Sequence, residues 1–225
     1  MAALLRATRC AALRAPRLAA PAAALQMAPA IAASPVLRLS RNMGAGAGSG
    51  GADLDIDYVK SSWDTVVTNV KKLTENPAAS NQEIFELAGQ VLFEKILGPP
   101  EDTATFEARC KLFTFKTDYD ERIKDPHYKK HVSGVVETVN TAIDNLHDLA
   151  GLEKVLFDLG KRHNNYGVKN SHYTLVRDSL VYTLGVALGA PLSGKDAEQW
   201  TLVWGFVESN MKKGQASDAS YSLEG

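Results

Sequence analysis

Five histidines stand in the chain, at His127, His131, His147, His163 and His172. Imidazole can ligate a metal or exchange a proton near neutral pH, so their placement is the first question. Two of them sit inside apolar stripes of helical spacing. His131 belongs with Tyr128, Val132, Val135, Val139, Ala142, Ile143 and Leu146, and His163 closes a stripe of Leu152, Val155, Leu156 and Leu159. A single histidine in such a stripe is ordinarily a core or boundary residue; a pair on consecutive helices weighs differently. If the first helix continues to about His147, and the chain turns near Leu149 to Gly151, the second helix returns antiparallel and sets both rings across one gap. That gap would be lined by Val135, Leu156 and Leu159. An apolar slot with a nitrogen donor on either side suits a planar iron macrocycle. His127 and His131, one turn apart, could begin a zinc site, but they lack the glutamate of a metalloprotease motif and an obvious third ligand. His147 and His172 read as solvent-side or capping residues.

The elements that must position these rings are punctuated by proline. From Asp53 onward Pro77, Pro99, Pro100, Pro126 and Pro191 all fall between apolar-periodic segments. Val59, Trp63, Val66, Val67 and Val70 mark a first helix. Ser80 with Glu83 forms a capping box that opens a second, carrying Ile84, Leu87, Ala88, Val91 and Leu92 and stopping at Gly98-Pro99-Pro100. Asp125-Pro126, an N-cap followed by proline at the first helical position, opens the helix of His131. Tyr173, Val176, Leu180, Leu184 and Leu188 mark a later helix, and Trp200, Val203, Trp204, Val207 and Met211 the last, after a start at Ser193 and Asp196. No segment sustains the period-two alternation of a strand, so the fold class is all-α.

Charge divides the chain. None of the 26 acidic residues precedes Asp53, whereas Arg6, Arg9, Arg14, Arg17, Arg38 and Arg41 do, leaving 19 basic against 26 acidic residues beyond the break, a formal −7. That balance argues against a nucleic-acid partner, which needs clustered positive charge. Arginines interrupt every Ala/Leu run near the N-terminus, so no membrane span is expected. Residues 1–43, basic, acid-free and broken by four prolines, read as a transit peptide, 44–52 as a glycine-rich linker, 53–213 as the helical domain and 214–225 as a disordered tail. A mitochondrial address is the expectation, with a plastid address or a cytoplasmic protein as alternatives. Cys10 and Cys110 fall on opposite sides of the break, so any disulfide of Cys110 in the processed chain would be intermolecular.

The stretch from Tyr58 to about Lys213 resembles the globin family, and within it the neuroglobin-like globins that bind haem through two histidines. Val59-Lys60-Ser61-Ser62-Trp63, Cys110-Lys111-Leu112-Phe113 and the run Leu159-Gly160-Lys161-Arg162-His163-Asn164-Asn165-Tyr166-Gly167-Val168-Lys169 carry the likeness. The resemblance implies a globin fold of seven to eight helices around a haem b pocket. It implies His163 as proximal and His131 as distal iron ligand, 32 residues apart in the family's spacing. Phe113 takes the place of the phenylalanine that stacks on the macrocycle, Phe93 and Val135 line the distal side, and Leu159 and Val168 the proximal side. The chain departs from the family at Gly134, where these relatives have a lysine near the haem propionates, so Tyr166 or Lys130 becomes the candidate there. The spacing from Phe93 to Phe113 is longer, and that from Phe113 to His131 shorter, than in the relatives.

The function implied is reversible binding of dioxygen or another diatomic gas. Two alternatives stay open. The same site could act as a nitric oxide dioxygenase, nitrite reductase or peroxidase, for which a separate electron donor is needed, or the fold could serve as a haem-free interaction module. Processing is directly testable. Mass spectrometry of protein isolated from its source is expected to place the N-terminus between Arg41 and Asp53; an intact Met1 on an active cytosolic protein would defeat the targeting expectation.

Overall fold

The caps legible in the sequence begin the helices of the computed structural model, which describes residues 53–99 and 101–217. The expected transit segment and linker (1–52) and residues 218–225 lie outside the described residues. Asp55 accepts a hydrogen bond from the Tyr58 amide (3.0 Å) and opens α1, Ile56–Leu73. The Ser80/Glu83 box closes in both directions, Ser80 N to Glu83 Oε2 at 2.8 Å and Glu83 N to Ser80 Oγ at 3.3 Å, and opens α2, Asn81–Leu97. Gly98, at φ 82°, ends it before Pro99. A short α3, Thr103–Leu112, and a single turn α4, Tyr119–Arg122, lead to α5, Pro126–Asp144, where Asp125 accepts from the His127 amide at 2.8 Å. Then follow α6, Leu149–Asn165, α7, Asn170–Leu188, and α8, Gly194–Ala216. Among the described residues there is no strand, and the all-α expectation holds.

Two boundaries differ from the sequence reading. The helix of His131 ends at Asp144, and the expected turn at Leu149 to Gly151 is instead the first turn of α6, because the Asp148 carboxylate accepts the Gly151 amide at 3.0 Å. An acid placed to cap outweighs the glycine two residues into the new helix. Gly214, expected to start a tail, lies within the last helix. α8 runs through Ala216, and Gln215 is fully buried, its Oε1 accepting from the Tyr173 hydroxyl (2.8 Å) and its Nε2 donating to the Val168 carbonyl (3.1 Å). A polar residue so satisfied is held in the structure.

Packing divides the apolar side chains into two clusters. The larger joins Val59, Trp63 and Val66 of α1 to Ile143, Leu156, Leu184, Trp200 and Val203. The smaller gathers Leu92, Phe93, Ile96 and Leu97 of α2 with Phe106, Cys110, Phe115, Tyr128 and Val132. Cys110 is buried there, and burial pushes its thiol pKa up, which suits an inert core sulfur better than an intermolecular disulfide.

Helix pairs α6–α8 and α2–α5 make the broadest contacts, and each does so through glycine. A Cβ built on Gly160 would run into the Met211 carbonyl, and one on Gly214 into the Phe157 carbonyl, so the backbones of α6 and α8 touch reciprocally. Gly89 of α2 meets the Val132 carbonyl of α5 in the same way. Here the obstacle is backbone, which cannot rotate aside as a side chain can. Gly160→Ala is therefore expected to cost about 2–3 kcal/mol through overpacking. Gly205, mid-helix in α8 with no atom within 4 Å of its built Cβ, provides the contrast. Gly205→Ala should stabilise by up to about 1 kcal/mol from helix propensity alone. Thermal unfolding of both variants checks the pair; equal effects would show that the close approach carries no energetic weight.

Candidate functional site

α6 positions His163 in its last turn, where the Nδ1–H donates to the Leu159 carbonyl one turn back at 2.9 Å. A carbonyl can only accept, so the proton resides on Nδ1 and Nε2 carries the lone pair. This is the acceptor that ligation by His163 requires. Burial lowers the pKa of the ring, and the Arg162 charge adds to this, while the Leu159 carbonyl acts the other way; the net direction is down. His163 is thus a neutral imidazole at neutral pH with a defined tautomer.

His131 lies on α5, half-buried among aromatic rings. Its centroid stands 5.2 Å from Phe93, 5.6 Å from Phe113 and 5.4 Å from Phe115, with the Phe93 and Phe115 planes near perpendicular to it. Among the described residues no hydrogen bond fixes this imidazole. Burial lowers its pKa, and the imidazoles of His127 and His163 disfavour its proton further. Both rings therefore remain neutral, the protonation state that metal ligation needs.

The other residues expected here distribute on two sides. Phe93, Phe113 and Val135 belong to the smaller cluster, on the side of His131. Leu159 and Val168 pack against the larger cluster, on the side of His163. Leu156, also expected in the lining, is buried within the larger core at 2% exposure. Tyr166 is 65% exposed with its ring 6.0 Å from that of His163, and Lys130 is exposed on α5, so either can reach a charged group at a solvent edge. Gly134 is half-buried with no atom within 4 Å of its built Cβ.

Phe115 escaped the sequence reading. It stacks on Phe113 at 5.3 Å and 20° and also contacts Phe93, Tyr128 and His127. The available signal was the pair Phe113 and Phe115 two positions apart before the corner. His127 is occupied by the same corner, its Nε2 3.0 Å from Thr114 Oγ1 and 3.3 Å from the Phe113 carbonyl. His172 caps α7, its Nδ1 accepting from the Lys169 amide at 3.1 Å, and His147 is exposed, in keeping with the roles read for both.

The donor set fits a haem. Two neutral imidazoles on different helices, one with its tautomer fixed for axial ligation, are flanked by apolar walls, with a tyrosine and a lysine at exposed positions for acidic substituents.

Comparison with known proteins points to one family. The globin family model matches residues 104–211. Neuroglobin of Tetraodon nigroviridis is 30% identical over 167 residues, covering 73% of this chain and 92% of the relative. Neuroglobin of Danio rerio is 31% identical over 117 residues, covering 51% of this chain and 74% of the relative. Neuroglobin-2 of Oncorhynchus mykiss is 28% identical over 120 residues, 52% and 76% of the two chains. With the all-helical architecture and these relatives together, the chain belongs to the globin family, as a neuroglobin-like member.

Proposed function

We propose that this globin holds haem b between His163 and His131 and binds dioxygen or another diatomic gas reversibly. Haem supplies an iron centre able to bind such a gas on one face. His163, with Nε2 bare and Nδ1–H directed to Leu159, is assigned the proximal position. His131 is assigned the opposite side, either as a hydrogen-bond donor to the bound gas or as a second, displaceable iron ligand. Phe93, Phe113, Phe115 and Val135 exclude water there, which protects a ferrous centre from oxidation. Tyr166 or Lys130 is assigned to the propionates, and a mitochondrial site of action, with the transit segment removed, completes the proposal.

One observation favours binding over peroxidase-like or reductive turnover, and it is the partner of His163. A neutral carbonyl draws less electron density toward the ring nitrogen than a carboxylate would, so the His163 imidazole is less basic and would donate less electron density to an iron it held. The enzymatic reading also needs a separate electron donor.

His163→Gly is expected to lose haem on gel filtration and to regain a ligated spectrum when free imidazole is added, because the cavity admits the missing ligand. Full haem retention with an unchanged spectrum would sink the proximal assignment. For the distal side, the ferrous, gas-free protein is expected to be six-coordinate and low-spin. If His131 occupies iron in about 90% of molecules, apparent gas affinity is reduced about tenfold. His131→Leu should then give a five-coordinate spectrum and bind carbon monoxide correspondingly faster. A five-coordinate high-spin spectrum in the unmodified protein leaves His131 as a hydrogen-bond donor only.

A further inference from the structure

Arg122 is among the largest fully buried side chains of the protein, at 1% exposure, although it lies on the one-turn helix α4 within a run of charged residues. Its Nη1 donates to the carbonyls of Lys116 and Thr117, both at 2.9 Å, and its Nη2 forms an ion pair with Glu94 Oε1 at 2.9 Å. The guanidinium also lies over the rings of Phe106 (5.4 Å), Tyr119 (5.6 Å) and Tyr128 (6.0 Å).

Three of these contacts are one step from the wall around His131. Glu94 follows Phe93 on α2, whose ring is 5.2 Å from His131. Lys116 follows Phe115, whose ring is 5.4 Å from it. Tyr128 lies three residues before His131 on α5, the same helix face, and packs on Phe115 at 4.9 Å. One guanidinium thus ties together the α2, corner and α5 segments that carry the rings around His131, while its hydrogen bonds, ion pair and ring contacts all go to residues not assigned to the haem.

Stability alone is a poor account of this arrangement. The Arg122 Nε is buried without a hydrogen-bond partner, the Tyr128 hydroxyl is buried beside the same guanidinium, and a buried ion pair is often matched or bettered by apolar side chains of similar volume. We propose that Arg122, paired with Glu94, is a positioning residue that sets the placement and freedom of His131 in the distal pocket.

The inference rests on the haem reading above, so its test carries a readout for each. The full chain, loaded with haem, is compared with the double variant Glu94→Met/Arg122→Met, which removes both charges together and preserves volume. Thermal unfolding is expected within about 4 °C of the parent. Carbon monoxide binding limited by departure of His131 is expected to change about tenfold, the scale of one charge-assisted hydrogen bond, and the carbon–oxygen stretching band of the carbonmonoxy form, which senses the distal imidazole, should shift or split. An unchanged rate and an unchanged band overturn the proposal whatever the melting temperature does. If the double variant does not fold, Glu94→Gln, which keeps the hydrogen bond and loses the charge, is read by the same two signals. A parent protein that is five-coordinate when ferrous defeats two-histidine ligation, and the stretching band alone then decides whether Arg122 places His131.

Discussion

Direct contact between helix backbones is the constraint on which the histidine pair depends. Where Gly160 of α6 rests on the Met211 carbonyl and Gly214 of α8 rests on the Phe157 carbonyl, no side chain lies between the helices to act as a compliant spacer. Interiors packed at crystal density move in discrete steps, so rotation or translation of α6 is resisted over its whole length. His163 follows Gly160 by three residues and projects roughly 60° around the helix from the contact, set by the 100° turn per residue. Its direction is therefore fixed by the crossing, and the Leu159 carbonyl then fixes the ring about that direction. Gly89 does the same for α5, where the touched residue, Val132, is the immediate neighbour of His131. Small residues at two crossings thus set the orientation of two large, functional ones.

Electrostatics acts on this frame by keeping charge out. Burial is the largest influence on both imidazoles and lowers the pKa of each; the nearness of other imidazoles further disfavours a proton on His131, and the Arg162 charge disfavours one on His163. The buried charge nearby, on Arg122, is balanced by Glu94 and directed toward backbone carbonyls of the corner. Neutral nitrogen donors in an apolar slot are what a group with its own metal charge requires, because a protonated imidazole cannot ligate.

The parts of this structure that were legible in the sequence are those in which neighbours in the chain determine the outcome. Ser80 with Glu83, Asp125 with Pro126, and the stripes of His131 and His163 are local patterns, and each reappears as a cap or a helix face, except that Val155 of the His163 stripe is exposed. Asp148 was local too, but the apolar residues Leu146, Leu149 and Leu152 continue across it with helical spacing, which masked the break. Arg122 was not legible, since an arginine within Asp118-Tyr119-Asp120-Glu121-Arg122 reads as a solvated face until Glu94, 28 positions earlier, is brought beside it. Phe115 lies in a corner with no period to announce which way it points. Gln215 was assigned to a tail because its partners, Tyr173 and the Val168 carbonyl, are supplied by other parts of the fold.

The two sides of the site are built from different interactions, and the difference bears on what each histidine can do. On the side of His163 the restraints are directional: the Leu159 carbonyl holds the ring, the α6–α8 crossing holds the helix, and Gln215 holds the Val168 carbonyl in the turn that follows. Such bonds have narrow angular wells and resist small displacements. On the side of His131 the restraints are aromatic contacts near 5 Å, edge-on and tilted, with no hydrogen bond to the imidazole among the described residues. Ring contacts of this kind are broad in angle and individually modest in energy. A ligand held by directional bonds stays in place, whereas one packed among rings can move while its surroundings keep their shape. Under the proposed haem function, this asymmetry would make His163 the permanent ligand and leave His131 the one free to exchange.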